Sequence, residues 1–360
     1  MDQEFKEVLG AFGLELHISD YGNGHINDTY IVQGPERVII QRINSNVFRQ
    51  PELVMDNILN VTEYLRKIIA EEGGDPDVET LSVITTTDGK PYYRSTTGGY
   101  YRVYKFIRGV SYDEITDVSQ LYHAAKAFGK FTNMLADYPA DTLHEVIPKF
   151  HDTRNRYMNF KDSVARDASG RAHTCPDEIK FVLDRECNCG IVVDGLADGS
   201  IPLRVTHNDT KLNNVLLDPD TGEGVCVIDL DTVMPGSLLY DYGDALRFGG
   251  SSGAEDEKDL SKIRFVVENF RAFTEGYIES MPSITARELE LLPFSIKLMT
   301  LECGLRFLAD YIDGDVYFKT AYPDHNLVRA RTQFKLISDI EAMMPELNAI
   351  VSEIAAKHGH

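Results

Sequence analysis

Short β-type runs surround one long helical pattern in the first hundred residues. Four runs rich in β-branched and aromatic residues are bounded by Gly, Asn, Asp or Pro: YGNGHINDTYIV (21–32), RVIIQRI (37–43), LSVITTTDG (81–89) and YYRVYKFI (100–107). Residues 51–74 open with proline, repeat Leu, Val and Ile at helical spacing and end in two glycines. This pattern predicts a small β-rich lobe with one long helix.

The pattern changes after Gly109. Helical periodicity dominates near residues 117–138, 154–167, 257–279 and 285–312, and only residues 203–230 look strand-like. We therefore predict an α+β, two-lobed protein with a β-rich N-lobe (1–108) and a larger, mostly helical C-lobe (109–360). The stretch FIRGV, with a glycine after an apolar strand, is predicted to connect the two lobes.

Charge and cysteine usage narrow the partners. The chain has 36 basic and 57 acidic residues and a net charge of −21, so its field repels nucleic acids and anionic membrane surfaces. An anionic substrate such as ATP then needs local cations or Mg²⁺. Five cysteines without a CxxC pair, and no apolar run of membrane length, indicate the cytoplasm. We expect a monomer or loose dimer.

The stretch VTHNDTKLNNVLLD (205–218) carries candidate chemistry. It contains the pattern H-x-D-x-x-x-x-N as His207, Asp209 and Asn214, followed by an apolar run. In kinases an Asp at this spacing accepts or orients the acceptor hydroxyl, and the Asn five residues later holds a metal ion. One loop then serves both ends of a phosphoryl transfer.

A second carboxylate follows at the end of the next apolar run. In GVCVIDLD (224–231) the apolar run from Val225 to Ile228 ends in Asp229, which is placed to bind Mg²⁺ on the β- and γ-phosphates. The intervening DPDTGEG (218–224) predicts the turn of a β-hairpin. The alternative is a polar loop in which Asn and Asp residues only cap turns.

Other polar residues have two interpretations each. Gly22 and Gly24 either let backbone amides approach phosphates or form an ordinary turn. Asp241 and Asp244 either support the catalytic loop through hydrogen bonds or cap a helix in solvent. Arg306 and Asp310, one helical turn apart before Tyr317, fit a helical ion pair beside a core aromatic residue.

With HNDTKLNN, VIDLD and YDYGDALRFG, the chain resembles the aminoglycoside phosphotransferase and choline kinase superfamily. Longer segments, including GHINDTYIV, FHDTRNRYMNFK and ECGLRFLADY, are similar to N-acetylhexosamine 1-kinases over almost the whole chain. The resemblance implies a protein-kinase-like fold. It also implies phosphorylation of the C1 hydroxyl of N-acetylglucosamine and N-acetylgalactosamine by ATP with Mg²⁺.

The same resemblance implies a role for several residues. Asp209 would be the base, and Asn214 and Asp229 would be the metal ligands. The residues that would contact the sugar, together with Asp209, are His25, Phe248, Arg306 and Tyr317.

Two departures from protein kinases stand out. The third strand offers Gln41 and Arg42 where protein kinases place a phosphate-binding lysine, and Arg42 could take that role if it faces the nucleotide. Leu230 and Asp231 follow Asp229 where protein kinases carry Phe and Gly, so no activation switch is expected. A kinase for choline, homoserine or an aminoglycoside, or a silent nucleotide- or sugar-binding module, are the alternative functions.

Overall fold

The protein is described by a computed structural model that covers residues 3–14, 18–21, 26–34 and 36–360. The first part of the chain forms an antiparallel sheet in the order β1-β2-β3-β6-β4, with β5 paired to β6. The strands are β1 (Ile18–Asp20), β2 (Asp28–Val32), β3 (Val38–Ile43), β4 (Val83–Ile84), β5 (Tyr93–Arg94) and β6 (Tyr100–Lys105). The β-rich N-lobe predicted from the sequence is confirmed.

Helices cover both faces of this sheet. They are α1 (Gln3–Ala11), α2 (Pro51–Glu71) and the single turn α3 (Pro76–Glu79). Val38 and Ile40 of β3 pack on the face covered by α1, whereas Ile43 packs with α2. Because strand residues alternate between faces, Gln41 and Arg42 point to opposite sides of the sheet.

The rest of the chain is mostly helical, as predicted. Its helices are α4 (Val118–Met134), α5 (Thr153–Arg166), α6 (Pro176–Leu183), α7 (Ile191–Asp198), α8 (Leu238–Gly249), α9 (Val267–Glu279), α10 (Ala286–Asp313) and α11 (His325–His358). The patterns near 117–138, 154–167 and 285–312 correspond to α4, α5 and α10. None of the helices in the described ranges is long and apolar enough to cross a membrane.

The helix predicted over 257–279 begins ten residues late. Phe265 forms an isolated antiparallel bridge with Ser251, and the amide of Val266 donates to the carbonyl of Gly250 at 2.8 Å. Residues 263–266 are therefore extended, because their backbone pairs with the segment after α8 rather than with itself. Helical periodicity alone did not reveal this pairing.

Two short strand pairs interrupt the helices. Strands β7 (Arg204–Thr206) and β10 (Met234–Gly236) pair with each other, and so do β8 (Val215–Leu217) and β9 (Gly224–Val227). In the turn of the second pair, a carboxylate oxygen of Asp218 accepts from the amides of Asp220 and Thr221. The hairpin predicted around residues 218–224 is thus present.

The hydrophobic core continues from the sheet into the helical part. One cluster includes Ile58 of α2, Phe128 of α4, Tyr242 of α8 and Leu292 of α10. The buried Asn57 of α2 also bridges the two parts, because its amide nitrogen donates to the carbonyls of His144 (2.8 Å) and Val233 (2.9 Å). The lobe boundary at residues 108 and 109 stays a prediction.

Candidate active site

The strand topology brings two irregular segments together. Residues 207–214, here called the catalytic loop, connect β7 to β8, and residues 228–233, here called the Asp229 turn, connect β9 to β10. Because β7 pairs with β10 and β8 pairs with β9, both segments cross between the same two strand pairs. Asp209 and Asp229, twenty residues apart in sequence, therefore lie on neighbouring segments.

Hydrogen bonds join the two segments at both ends. The carbonyl of Ile228 accepts from Nε2 of His207 at 2.9 Å, and the Thr232 hydroxyl donates to the carbonyl of His207 at 2.7 Å. The side chain of Asn208 donates to the carbonyl of Thr232 at 2.9 Å. The Nδ1 of His207 lies 3.3 Å from the amide nitrogen of Asp209, which donates to it, so both ring nitrogens have partners.

Asn208 and Asp229 both adopt left-handed backbone conformations, with φ of 66° and 60°. Such conformations are uncommon for residues other than glycine, although Asn and Asp tolerate them best. Each costs on the order of 1 kcal/mol or more and persists only when neighbouring bonds fix it. Asn208 immediately precedes the predicted base Asp209, and Asp229 is itself a predicted metal ligand.

A buried carboxylate shapes the catalytic loop. Asp241 of α8 accepts from the backbone amides of His207 (2.8 Å) and Asn208 (2.7 Å), and its own carbonyl accepts from the Thr210 hydroxyl. Burial raises the pKa of Asp241, while His207 and the two amides oppose the rise. Of the two interpretations left open for Asp241, support of the loop is the one observed.

Asp244 has a different partner. It is buried against Arg247, whose Nε donates to it at 3.0 Å. Burial favours the protonated acid, but the Arg247 guanidinium and the Lys211 ammonium outweigh it and hold the pKa of Asp244 below its usual range. Asp244 is therefore an anion beside the site rather than a solvated helix cap.

Asp209 is partly exposed and already oriented. One carboxylate oxygen forms an ion pair with Nζ of Lys211 at 2.8 Å, and the other accepts from the Asn214 amide at 3.2 Å. Burial lowers the pKa of Lys211, but Asp209 and Asp244 more than offset this, so the pKa is raised. Lys211 was not predicted as a site residue from the sequence. The local indication of its role is a cation two residues after the predicted base.

The oxygens of Asp229 and Asn214 fit a divalent cation. The Asp229 carboxylate accepts no hydrogen bond from the described residues, and Asn214 uses its amide nitrogen on Asp209, which leaves its Oδ1 free. Burial, followed by the charges of Asp231 and Asp209, raises the pKa of Asp229 to about 6. Carboxylate and amide oxygens short of positive charge are the ligands that Mg²⁺ and Ca²⁺ prefer.

Phe248 lies at the C-terminal end of α8. The guanidinium carbon of Arg247 lies 3.8 Å from the centroid of the Phe248 ring, and Nζ of Lys211 lies 5.6 Å from the same centroid. The ring lines a cavity of about 720 Å³ beside the catalytic loop. This position places an apolar face next to the cation that contacts Asp209.

Arg306 of α10 and Tyr317 are neighbours. The Arg306 guanidinium is 5.9 Å from the centroid of the Tyr317 ring, which is exposed. Asp310 does not pair with Arg306, because its carboxylate accepts from the amides of Val316, Tyr317 and Phe318. Among the described carboxylates, none lies within ion-pair distance of Arg306, so neither the helical ion pair nor the core aromatic residue is observed.

A buried pair connects α10 to the catalytic loop. Nδ1 of His151 is 2.8 Å from a carboxylate oxygen of Glu302, which lies one helical turn before Arg306. Nε2 of the same ring is 3.4 Å from the carbonyl of Asn208. The sequence analysis did not identify His151 or Glu302, because nothing local indicates a contact across 151 residues.

The predicted contacts from the N-lobe fare differently. Gly22, Gly24 and His25 lie outside the described residues. Arg42 shares the α1 face of the sheet with Ile40, and its charge helps to lower the pKa of Glu4 on α1, after the Ser95 and Thr97 hydroxyls. Strand alternation turns Arg42 away from the catalytic loop, so we do not retain it as a phosphate ligand.

The cation on the other face of the sheet is Arg102 of β6. It is buried, its Nε and Nη2 both donate to Oε1 of Gln41 (3.0 and 2.8 Å), and its Nη1 forms an ion pair with Asp231. Although burial lowers the pKa of Arg102, Asp231 outweighs it and keeps that pKa above its ordinary value. From the sequence this segment was predicted only as a β-type run, and Arg102 was not identified.

Comparison with known families decides the class of protein. Residues 17–271 match the phosphotransferase enzyme family, APH. The chain belongs to this phosphotransferase family. The match includes the catalytic loop, the Asp229 turn and α8, and it confirms the superfamily that the sequence motifs indicated.

Solved structures of kinases share this APH fold. A microcompartment-associated aminopropanol kinase is 17% identical over 92% of this chain and 93% of its own, with a TM-score of 0.57. A choline kinase from Cryptosporidium parvum Iowa II is 15% identical over 94% and 92%, with a TM-score of 0.55. Spectinomycin phosphotransferase, in complex with ADP and spectinomycin, is 16% identical over 99% and 97%, with a TM-score of 0.55. At these identities the likeness shows the fold alone.

Replacing Asp229 with Asn should stabilise the protein in EDTA at pH 8. The raised pKa means that ionised Asp229 opposes folding above its unfolded pKa, so removing the charge should add about 1–3 kcal/mol to the free energy of unfolding. Below about pH 4 both states bind the proton and the gain should vanish. Urea titrations at both pH values measure this difference.

Asp220→Asn, at an exposed turn position that pairs with Arg108, is the matched control and should show no comparable gain at pH 8. An Asp229→Asn variant less stable than the parent in EDTA at pH 8 would contradict the assignment of Asp229 as an uncompensated carboxylate.

Proposed function

We propose that this chain is an ATP- and Mg²⁺-dependent kinase for the C1 hydroxyl of N-acetylglucosamine and N-acetylgalactosamine. The products would be the N-acetyl-α-hexosamine 1-phosphate and ADP. The observation that supports a phosphoryl transfer is that the amide nitrogen of Asn214 donates to Asp209, which leaves Oδ1 of Asn214 and the carboxylate of Asp229, on the neighbouring turn, free for a divalent ion. The sequence resemblance to N-acetylhexosamine 1-kinases supports the choice of acceptor.

In this proposal Asp209 orients the attacking hydroxyl and takes its proton. The new bond forms between the sugar oxygen and the γ-phosphorus, the bond to the bridging oxygen of ADP breaks, and the proton passes to the carboxylate. A loose phosphoryl transition state needs positioning more than a strong base. The two bonds that Asp209 already makes, to Lys211 and Asn214, hold its carboxylate for this purpose.

Charge on the transferring group would be met from two sides. Asn214 and Asp229 would hold the divalent ion, which neutralises the phosphate oxygens when bound. Lys211 lies next to Asp209 and would place its ammonium near the phosphoryl group as it moves to the acceptor. Such fixed cations are needed in a protein whose net charge is −21.

The proposed sugar contacts are Arg306, Tyr317 and Phe248, with His25 from the N-lobe. Arg306 offers guanidinium donors that no described carboxylate occupies, and Tyr317 offers an exposed hydroxyl. A site built from such groups favours an acceptor with several hydroxyls, because a ligand without them leaves the groups unpaired. Phe248 offers an apolar surface for the ring or the acetamido methyl group.

One observation favours a second candidate, a kinase for a cationic alcohol such as choline or an aminoglycoside. The cavity beside Phe248 is also lined by Asp113, Glu114, Asp117 and Glu255. Carboxylates and an aromatic ring together bind ammonium groups. Three of these carboxylates already have partners, which weakens this candidate: Asp113 accepts from Asn213, Asp117 accepts from the amide of Ser119, and Glu255 pairs with Arg247.

The reaction is tested by ³¹P NMR of the protein with ATP, Mg²⁺ and either N-acetylhexosamine, beside choline, homoserine and an aminoglycoside as acceptors. We expect an anomeric sugar 1-phosphate signal, lowered at least about 100-fold in rate by Asp209→Asn. A 6-phosphate, or phosphorylation of a cationic acceptor alone, would contradict the proposal. Intact ATP with every acceptor would favour a silent binding module.

Arg306→Ala should lower kcat/KM for the sugar about 10- to 100-fold, because a charge-assisted hydrogen bond to the acceptor is lost. Arg287→Ala is the matched control on the same helix, since Arg287 is exposed and pairs only with Glu290 one turn away. Steady-state kinetics with the sugar as the varied substrate measures the effect. If Arg306→Ala behaves like Arg287→Ala, Arg306 is not an acceptor ligand.

A further inference from the structure

A buried cation of the N-terminal sheet reaches the Asp229 turn. Arg102 is only 1% exposed, and its Nη1 forms an ion pair with Asp231, two residues after Asp229. Its remaining described contacts go to Gln41 on the neighbouring strand and to the ring of Tyr104. A cation this deeply buried is held in one place by its partners, so it fixes them in return.

Asp231 uses both carboxylate oxygens on groups from the N-terminal part of the chain. One oxygen pairs with Arg102, and the other accepts from the Asn27 amide at 2.7 Å. Asn27 in turn accepts from the amide of Asn44, which follows β3. Asp231 is thus committed to the N-lobe, although its sequence position beside Asp229 would also suit a second metal ligand.

The Asp229 turn is therefore held from two directions. On the C-lobe side, Asn208 donates to the carbonyl of Thr232, and the amide of Ile228 donates to the carbonyl of Asn214. On the N-lobe side, Arg102 holds Asp231, and Asn57 of α2 donates to the carbonyl of Val233. The left-handed backbone of Asp229 lies between these attachments, where a change in either would turn its carboxylate.

We propose that Arg102 is a positioning residue for the metal site. Through Asp231 it fixes the Asp229 turn, so divalent-ion binding depends on the position of the N-lobe sheet relative to this turn. This inference rests on the proposed role of Asp229 as a metal ligand and is independent of the acceptor. In this inference the buried guanidinium of Arg102 orients the metal site. That role differs from the phosphate contact that was predicted for Arg42.

Electrostatics and positioning predict effects of opposite sign. Removing a buried positive charge near a cation site should strengthen metal binding if charge alone matters. Releasing the Asp229 turn should weaken metal binding, because partners behind a metal ligand typically contribute 10- to 100-fold in affinity. The paired variant Arg102→Met with Asp231→Asn leaves the net charge unchanged and isolates the positioning effect.

The experiment measures Mn²⁺ binding by electron paramagnetic resonance in the presence of saturating ADP, with no acceptor present. We expect Mn²⁺ affinity to fall at least about tenfold in Arg102→Met and in the paired variant, with a smaller loss in Arg102→Lys. The control Arg185→Met removes an ion pair with Glu341 on α11 and should bind Mn²⁺ within about twofold of the parent.

Two outcomes would overturn the inference. Either unchanged Mn²⁺ affinity in the paired variant, or tighter binding in Arg102→Met and the paired variant alike, would leave Arg102 without a positioning role. If Arg102→Met fails to fold, as judged by circular dichroism, Arg102→Lys decides, because it keeps the charge and loses the guanidinium geometry: Mn²⁺ affinity equal to that of the parent would leave Arg102 without a positioning role. Failure of the parent protein to bind Mn²⁺ with ADP would instead contradict the proposed function.

Discussion

One buried carboxylate, Asp241, holds the geometry of the site. Its carboxylate accepts hydrogen bonds from the amides of His207 and Asn208 and so turns the backbone of the catalytic loop. These hydrogen bonds hold Asn208 in its left-handed conformation. That turn directs Asp209 toward Lys211 and Asn214. The phosphoryl-transfer geometry therefore depends on a residue of α8 that we do not expect to touch the substrate.

The two lobes meet at the Asp229 turn rather than at a mobile helix. Asn57 ties α2 to the carbonyl of Val233, and Arg102 ties β6 to Asp231. Both bonds join the N-lobe to the segment that carries Asp229. The absence of a protein-kinase activation switch, expected from Leu230 and Asp231, stays a prediction.

Local patterns predicted the fold class and the segments that carry chemistry. Hairpins, helix ends and the spacing of Asp209 and Asn214 each depend on residues that are close in sequence. Contacts across the chain could not be predicted this way. The partners of Asp241, the pair of His151 and Glu302, and the ion pair of Arg102 with Asp231 all join residues at least 31 positions apart. Arg42 was predicted as a phosphate ligand although the sequence left the face of its strand undecided, and Arg102 on β6 was not considered.

The most direct test of this account is to locate the metal ion. Fe²⁺ bound in place of Mg²⁺, with ADP, ascorbate and peroxide, cuts the backbone near the ion, and mass spectrometry maps the cuts. We predict cuts within residues 207–214 and 227–231 that Mg²⁺ suppresses. Cuts confined to the ends of α9 and α11, where Glu275, Glu279 and His358 cluster, would contradict the assignment of Asn214 and Asp229 as the metal ligands.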